Sequence, residues 1–247
     1  QEQLIITLVG LALLMIFFSL NTKNFLSQRN LLNIALQTSV AVLLAIAETF
    51  VIITGGIDLS IGSISAASGM IVAVCLNQGV SVPIAVSLGL LTGIALGAFN
   101  GFTVTVLGIV PFIATLGTNS IMRGLIYVIL NGIPLSASSA GEAFTWIGQG
   151  KLGGWLPYPV LFMIIIATVA VIVLAKSRFG RTIFAIGSNE NAAFLSGIKV
   201  KMTKFKVYLL CGLLSAIAGI ILTSRVASAS PTAGQPSRMQ GMGLSSR

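Results

Sequence analysis

The sequence has 247 residues, 55% of them hydrophobic and only 8% charged, where globular chains carry roughly 25% charged residues. Its mean hydropathy of +1.02 and its apolar runs of bilayer length exclude a soluble enzyme, a nucleic-acid binder and a disordered chain. The fold class is therefore all-α, a polytopic transmembrane helical bundle forming one membrane domain over residues 1–247.

In chain order, apolar length set against polar breaks predicts about seven spans, at 4–20, 38–54, 61–77, 81–107, 110–130, 157–175 and 206–224. No cleavage-site pattern follows the first, which reads as a retained span and not a signal peptide. Segment 21–37 is amphipathic and is expected to lie at the membrane interface or to enter the membrane only partly. Asn77-Gln78-Gly79 joins the third and fourth spans as a tight hairpin.

The fourteen Lys and Arg stand against five acids, giving a net charge of +9. In a membrane protein, position matters more than number, because basic loops stay on the cytoplasmic side. Residues 176–206 hold Lys176, Arg178, Arg181, Lys199, Lys201, Lys204 and Lys206 against the single acid Glu190. This segment is expected to be cytoplasmic. The connection 131–156 is charge-balanced by Glu142 and Lys151 and carries Trp146 and Trp155, with Tyr158 just beyond. Such aromatics suit the opposite membrane interface. Counting back puts the N-terminus inside, with Lys23 and Arg29 outside, against the trend.

His is absent, which removes the commonest metal ligand and the neutral-pH proton shuttle. Cys75 and Cys211 sit in apolar runs near opposite faces, where they read as small packing residues and not as a disulfide. No metal or cofactor is expected of this chain.

Gly89, Gly93, Gly97 and Gly101 recur every four residues along one span. Lipid gives helices no hydrophobic drive to associate, and small residues at that spacing let two backbones approach closely. Ser65, Gly69 and Ala73 repeat the theme, and Gly212, Ala216 and Gly219 do so less strictly. The expected role is helix packing.

Charges inside spans are costly and face protein or water. Glu48, Asp58 and Arg123 are three such groups. Gly55-Gly56 ends one helix, and Asp58 or Ser60 can cap the next. The same residues could instead line a translocation path through a broken helix. Glu48 is either paired, with Arg123 a candidate on another span, or turned toward a cavity, and a proton-coupled secondary carrier would want such an acid.

Residues 187–197 read as a short capped helix. Ser188 or Asn189 is its N-cap, Glu190 lies in its first turn, and Gly197 ends it. Phe194, Leu195 and Ile198 then offer an apolar patch, suited to a docking partner or to membrane lipid.

Several stretches resemble the ribose-type permease subunits of bacterial ABC importers. They are Asn33–Ser39, Ile53–Ser63, Phe112–Gly117, Arg123-Gly124, Asn131-Gly132, Gly180-Arg181, Gly187–Glu190, Leu195–Ile198, Tyr208–Leu214 and Ala229–Gly234. The likeness runs in order through nearly the whole chain to about residue 234. It implies a sugar permease of the inner membrane that works with a second permease subunit, a cytoplasmic ATP-binding subunit and a periplasmic sugar-binding protein. Asn191-Ala192-Ala193-x-x-x-Gly197 is similar to the Glu-Ala-Ala-x-x-x-Gly signature of importer permeases, with Asn in place of Glu and Glu190 before it.

The resemblance therefore implies a coupling element within 176–206, carried by Ser188, Asn189, Glu190, Asn191, Ala192, Ala193, Phe194 and Gly197. Glu48, Gly55, Gly56, Asp58, Ser60 and Arg123 are the candidates for a translocation path, with Glu48 given no role by the family. Consistently, no Gly-x-x-x-x-Gly-Lys-[Ser/Thr] phosphate loop is present. Family members continue past the Pro-Thr-Ala-Gly segment with further spans, whereas this chain begins with Gln and ends Gln235–Arg247, which reads as a fragment or truncated product. Two alternatives are a proton-coupled carrier and a non-transporting scaffold.

Overall fold

The computed structural model describes residues 2–22, 24–138 and 142–233; Lys23 and the 234–247 tail, on which two of the readings above bear, lie outside the described residues. Seven long helices account for the predicted spans. They are α1 (Glu2–Asn21), α2 (Gln28–Ile53), α3 (Ile61–Asn77), α4 (Val82–Thr105), α5 (Pro111–Ile129), α7 (Tyr158–Lys176) and α10 (Val200–Val226). Of these α2, α4, α5, α7 and α10 are at least 18 residues long and apolar enough to cross a membrane, while α3 and the apolar part of α1 have 17.

Two expectations are corrected. Segment 21–37 is not a separate interfacial element, because α2 begins at Gln28 and runs unbroken to Ile53. Ser27 caps it by accepting the Asn30 N–H, and the Asn30 side chain donates to the Phe25 carbonyl at 2.7 Å. Neither Gly nor Pro interrupts residues 28–53. At 1.5 Å per residue the helix is about 39 Å long, beyond the roughly 30 Å hydrocarbon core, so its polar first turns have room outside the core.

The basic stretch 176–206 is also more ordered than a loop. It contains α8 (Arg178–Ser188) and α9 (Glu190–Leu195), and α10 begins within it. The sequence predicts a helix only over 187–197, whereas α8 runs through both Gly180 and Gly187. In the fold they are points of close approach: Gly187 lies directly against the Ile53 carbonyl at the end of α2, where no larger residue fits.

α10 is the central post. Its buried positions lie all round the helix and include Val207, Tyr208, Cys211, Gly212, Ser215, Ala216, Gly219 and Ile220. It packs on α2, α3 and α4, whereas α1, α5 and α7 present large apolar side chains outward, as spans in lipid do. The glycine ladder of α4 faces α10. A methyl group on Gly97 would lie 2.5 Å from the Tyr208 carbonyl oxygen, and one on Gly93 would lie 2.6 Å from that of Gly212. Gly101 meets Phe205, and Gly89 meets Val72 of α3 and Ile220.

At the end of the bundle remote from the basic stretch, β1 (Leu135–Ser136) pairs antiparallel with β4 (Ser228–Ala229), and β2 (Lys151–Leu152) with β3 (Leu156–Pro157). Helix α6 (Glu142–Gln149) docks on the end of α10, where the Ser224 hydroxyl donates to the Phe144 carbonyl at 2.6 Å and accepts the Gly148 N–H at 2.8 Å. The Trp146 and Tyr158 rings lie 4.4 Å apart at this end.

Gly97→Ala is expected to lower stability by about 1–3 kcal/mol, the usual cost of overpacking. Gly117→Ala on α5, where an added methyl meets nothing within 4 Å, should be neutral or stabilising by up to about 1 kcal/mol. Thermal unfolding of the two variants in detergent compares them; equal losses would contradict the seam.

Candidate functional site

Helix α2 ends in a joint built for a change of direction. The Thr54 hydroxyl donates to the Val51 carbonyl at 2.8 Å, Gly55 adopts φ +78°, and the Gly56 N–H returns to the same carbonyl at 3.1 Å. Residues Ile57–Ser60 are then irregular, before α3 starts at Ile61. Irregular backbone in a membrane protein needs internal partners, and two amides here find theirs on neighbouring helices. The Asp58 N–H donates to Glu48 Oε1 at 3.0 Å, and the Leu59 N–H donates to Thr115 Oγ1 at 3.1 Å.

Asp58 itself is buried, with 2% exposure. Its Oδ1 accepts the Ser60 N–H at 2.8 Å and the Ser60 hydroxyl at 2.5 Å. Its Oδ2 takes a long contact from Asn100 Nδ2 at 3.5 Å and one from the Cys211 thiol at 3.6 Å. A one-way chain of donors leads to it: Thr118 donates to Asn100 Oδ1 at 2.6 Å, Asn100 donates to Ser60 Oγ at 2.7 Å, and Ser60 donates to Asp58. Residues from α2, α4, α5 and α10 thereby meet at the start of α3. A buried carboxylate is tolerated only when its lone pairs are occupied in this way.

The sequence brings Glu48, Gly55, Gly56, Asp58 and Ser60 together here, and the structure adds Asn100, Thr115, Thr118 and Cys211. Ser60 begins α3 without a cap through its side chain, since its hydroxyl is engaged by Asp58 and Asn100. Cys211 is a hydrogen-bond partner as well as a packing residue. Glu48 Oε2 and the Tyr208 hydroxyl are buried with no hydrogen-bond partner.

Arg123 is not at this site. Its Nη1 donates to the carbonyls of Pro231 and Ala233, at 3.2 and 2.6 Å, so it binds the segment after α10 and leaves Glu48 unpaired with it. A guanidinium carries several N–H donors, and two carbonyls of one turn suit it as well as a carboxylate.

At the basic end, Asn189 and not Ser188 caps α9, its side-chain oxygen accepting the Ala192 N–H at 2.9 Å, while Ser188 is the last residue of α8. Gly197, at φ +81°, reverses the chain, and the Ile198 N–H returns to the Ala193 carbonyl at 3.1 Å. Ala193 is buried against Ile186 and Val200, with Ile198 packed beside them. Phe194 and Leu195 point outward, 69% and 84% exposed. A groove of about 500 Å³ runs along this face, lined by Glu190, Asn191, Phe194, Ile198, Lys199 and Met202. Glu190 is held by Lys204 at 2.6 Å.

The branched-chain amino acid transport system / permease component family matches residues 30–244. The chain belongs to this permease family. It is 44% identical over 227 residues to the ribose import permease protein of Bacillus subtilis (strain 168), covering 92% of this chain and 70% of that one. It is 42% identical over 230 residues to the ribose import permease protein of Escherichia coli (strain K12), covering 92% and 71%. The D-allose transport system permease protein of the same strain is 40% identical over 223 residues, covering 89% and 67%. No solved structure matches. The permease is thus a multi-pass protein of the cell membrane, as its apolar helices require.

Of the joint's residues, Asn100 carried a usable signal: an amide amid an apolar helix must find a partner. Thr115 and Thr118 carried none, because threonine can satisfy itself on its own helix, as the Thr115 hydroxyl does with the Pro111 carbonyl at 2.8 Å.

Asn100→Ala removes one link and leaves Ser60 and Thr118 without their partner. The loss in stability should be about 1–3 kcal/mol, read as thermal unfolding of the detergent-solubilised permease. Ser65→Ala, which deletes a buried hydroxyl with no partner, should change it by less than about 0.5 kcal/mol.

Proposed function

We propose that this permease is the transmembrane subunit of an ATP-driven importer that carries a ribose-like monosaccharide across the inner membrane. The observation that carries this reading is the match to ribose import permeases over 92% of the chain. D-allose and xylose permeases are also among its relatives, so the substrate class is monosaccharide. The family supplies the importer reading and gives no support to a proton-coupled carrier. In such a system a cytoplasmic ATP-binding subunit hydrolyses ATP, a periplasmic sugar-binding protein delivers the sugar, and a second permease subunit completes the pathway.

The segment 176–206 is the cytoplasmic coupling element. Ser188, Asn189, Glu190, Asn191, Ala192, Ala193, Phe194 and Gly197 form or frame the docking helix, and the exposed Phe194 and Leu195 are its apolar contact. The cap at Asn189 and the turn at Gly197 make α9 a rigid handle. Through Ala193 it is packed on α8, and α8 bears on the end of α2 at Gly187–Ile53. Force applied to α9 thus reaches the chain next to the joint at Thr54–Ser60. Alternation between outward- and inward-open states then follows from the partner's preference for one of them. Within the joint, Asp58 and Ser60 hold the break, Gly55 and Gly56 make the turn, and beside it Glu48 keeps one buried oxygen without a hydrogen-bond partner. Arg123 serves the opposite end.

Proline cannot adopt the φ of Gly197. Gly197→Pro should therefore reduce labelled ribose uptake, in cells carrying the whole system, by about tenfold or more, equivalent to at least 1.4 kcal/mol of coupling. It should also weaken co-purification with the ATP-binding subunit while leaving the permease in the membrane. Uptake that follows the proton gradient and needs no ATP would refute the importer reading.

A further inference from the structure

The two short helices at the basic end have different surfaces. On α8, Gly180, Ile183 and Ile186 are buried, while Lys176 just before it, Arg178, Arg181 and Phe184 are exposed. Only Ser177 separates the last residue of α7 from the first of α8. Where α7 leaves the apolar core, α8 starts within a residue, at headgroup depth. The Arg181 guanidinium is fixed there, donating to the Lys176 carbonyl at 3.2 Å, and retains other N–H donors in its fork. The stretch 176–206 holds one acid, Glu190, which Lys204 engages. The cations of α8 therefore have no carboxylate in this stretch to neutralise them. Phe184, one turn beyond Arg181, is half exposed.

We propose that the outer face of α8, formed by Lys176, Arg178, Arg181 and Phe184, binds the phosphate headgroups of anionic phospholipids, with the Phe184 ring at the acyl boundary. A basic amphipathic helix with an aromatic on its outward side has the chemistry for that interface, and a polybasic patch next to a span attracts anionic headgroups. The guanidinium pair suits phosphate, which it can meet with two parallel N–H donors. The proposal rests on the membrane-spanning assignment of α7 but not on the ATP-binding partner or the sugar. It divides the basic stretch into a lipid-bound α8 and an α9 left free to dock.

The test uses the full chain in nanodiscs and in detergent, with phosphatidylglycerol and phosphatidylcholine as probes, and reads lipid retained by native mass spectrometry. Each basic residue near an anionic surface strengthens the attraction by about fivefold. Arg178→Gln with Arg181→Gln should lower the preference for phosphatidylglycerol by roughly twenty- to thirtyfold. Lys199→Gln with Lys201→Gln, at the α9 groove, should leave it unchanged. Arg178→Lys with Arg181→Lys guards against misfolding and should retain a preference of intermediate strength. Unchanged retention in the double glutamine variant overturns the proposal. So does an equal loss in the Lys199/Lys201 variant, which would show net charge alone at work. A permease that keeps this lipid preference yet fails to bind any ATP-binding subunit would refute the importer reading and leave this inference standing.

Discussion

The contact between the backbones of α4 and α10 is the constraint on which the rest of the bundle depends. In lipid an apolar side chain gains little by turning inward, so helices associate through close packing and polar contacts. Gly93 and Gly97 on one side and Gly212 on the other bring the two backbones into direct contact, with the Ala216 methyl packed beside Gly93. Once α10 is fixed against α4, α3 is drawn in on the same principle. Gly219 of α10 lies directly against the Ser65 carbonyl, and Gly69 of α3 lies against Thr223. Three helices share one small-residue seam, and α2 closes over it through Leu43, Ala47 and Phe50.

The seam and the polar joint are set by the same turn of α10. The carbonyl of Tyr208 meets Gly97, the Gly212 backbone meets Gly93 and Gly97, and between them the Cys211 thiol reaches Asp58. A shift of α10 along α4 would move all three. Asp58 for that reason does more than hold the turn before α3. Its contacts on α4 and α10 tie the break between α2 and α3 to the rotation and height of the central helix. The joint's remaining tie, through Thr115 and Thr118, brings in α5, which otherwise turns most of its surface outward.

Much of this was legible in the sequence, and the reasons for the gaps are physical. Apolar length and the four-residue glycine spacing report directly on bilayer thickness and backbone approach, so the spans and the α4 ladder were readable. The Gly55-Gly56 break with Asp58 and Ser60 was readable as a joint, but its partners on α4, α5 and α10 were not, because sequence separations of 42 to 153 residues carry no geometric information. Arg123 was misplaced for the same reason: charge complementarity suggested Glu48, while the fold supplied backbone carbonyls. Helix α8 was missed because the basic stretch read as a loop with one short helix at 187–197, and the contact of Gly187 with the end of α2 has no signature in the sequence. The start of α2 was misjudged because polar residues at the end of an overlong helix look like a separate amphipathic segment.

The distribution of unpartnered hydroxyls separates the parts of the bundle that resist motion differently. Ser65, Ser68 and Ser215 lie buried along the α3–α10 seam without a hydrogen-bond partner, as do Glu48 Oε2 and the Tyr208 hydroxyl beside the joint, whereas Asp58, Ser60, Asn100 and Thr118 are tied together by hydrogen bonds. Moving the seam breaks few directional bonds; its resistance comes from shape, through glycine, alanine and serine surfaces with little to interlock. Moving the joint breaks a chain of at least three, from Thr118 through Asn100 and Ser60 to Asp58, each left buried in a medium where a lost partner is not replaced by water. On the proposed coupling route, a load entering through α8 at Gly187 would meet the hydrogen-bonded joint beside it and a smooth surface beyond.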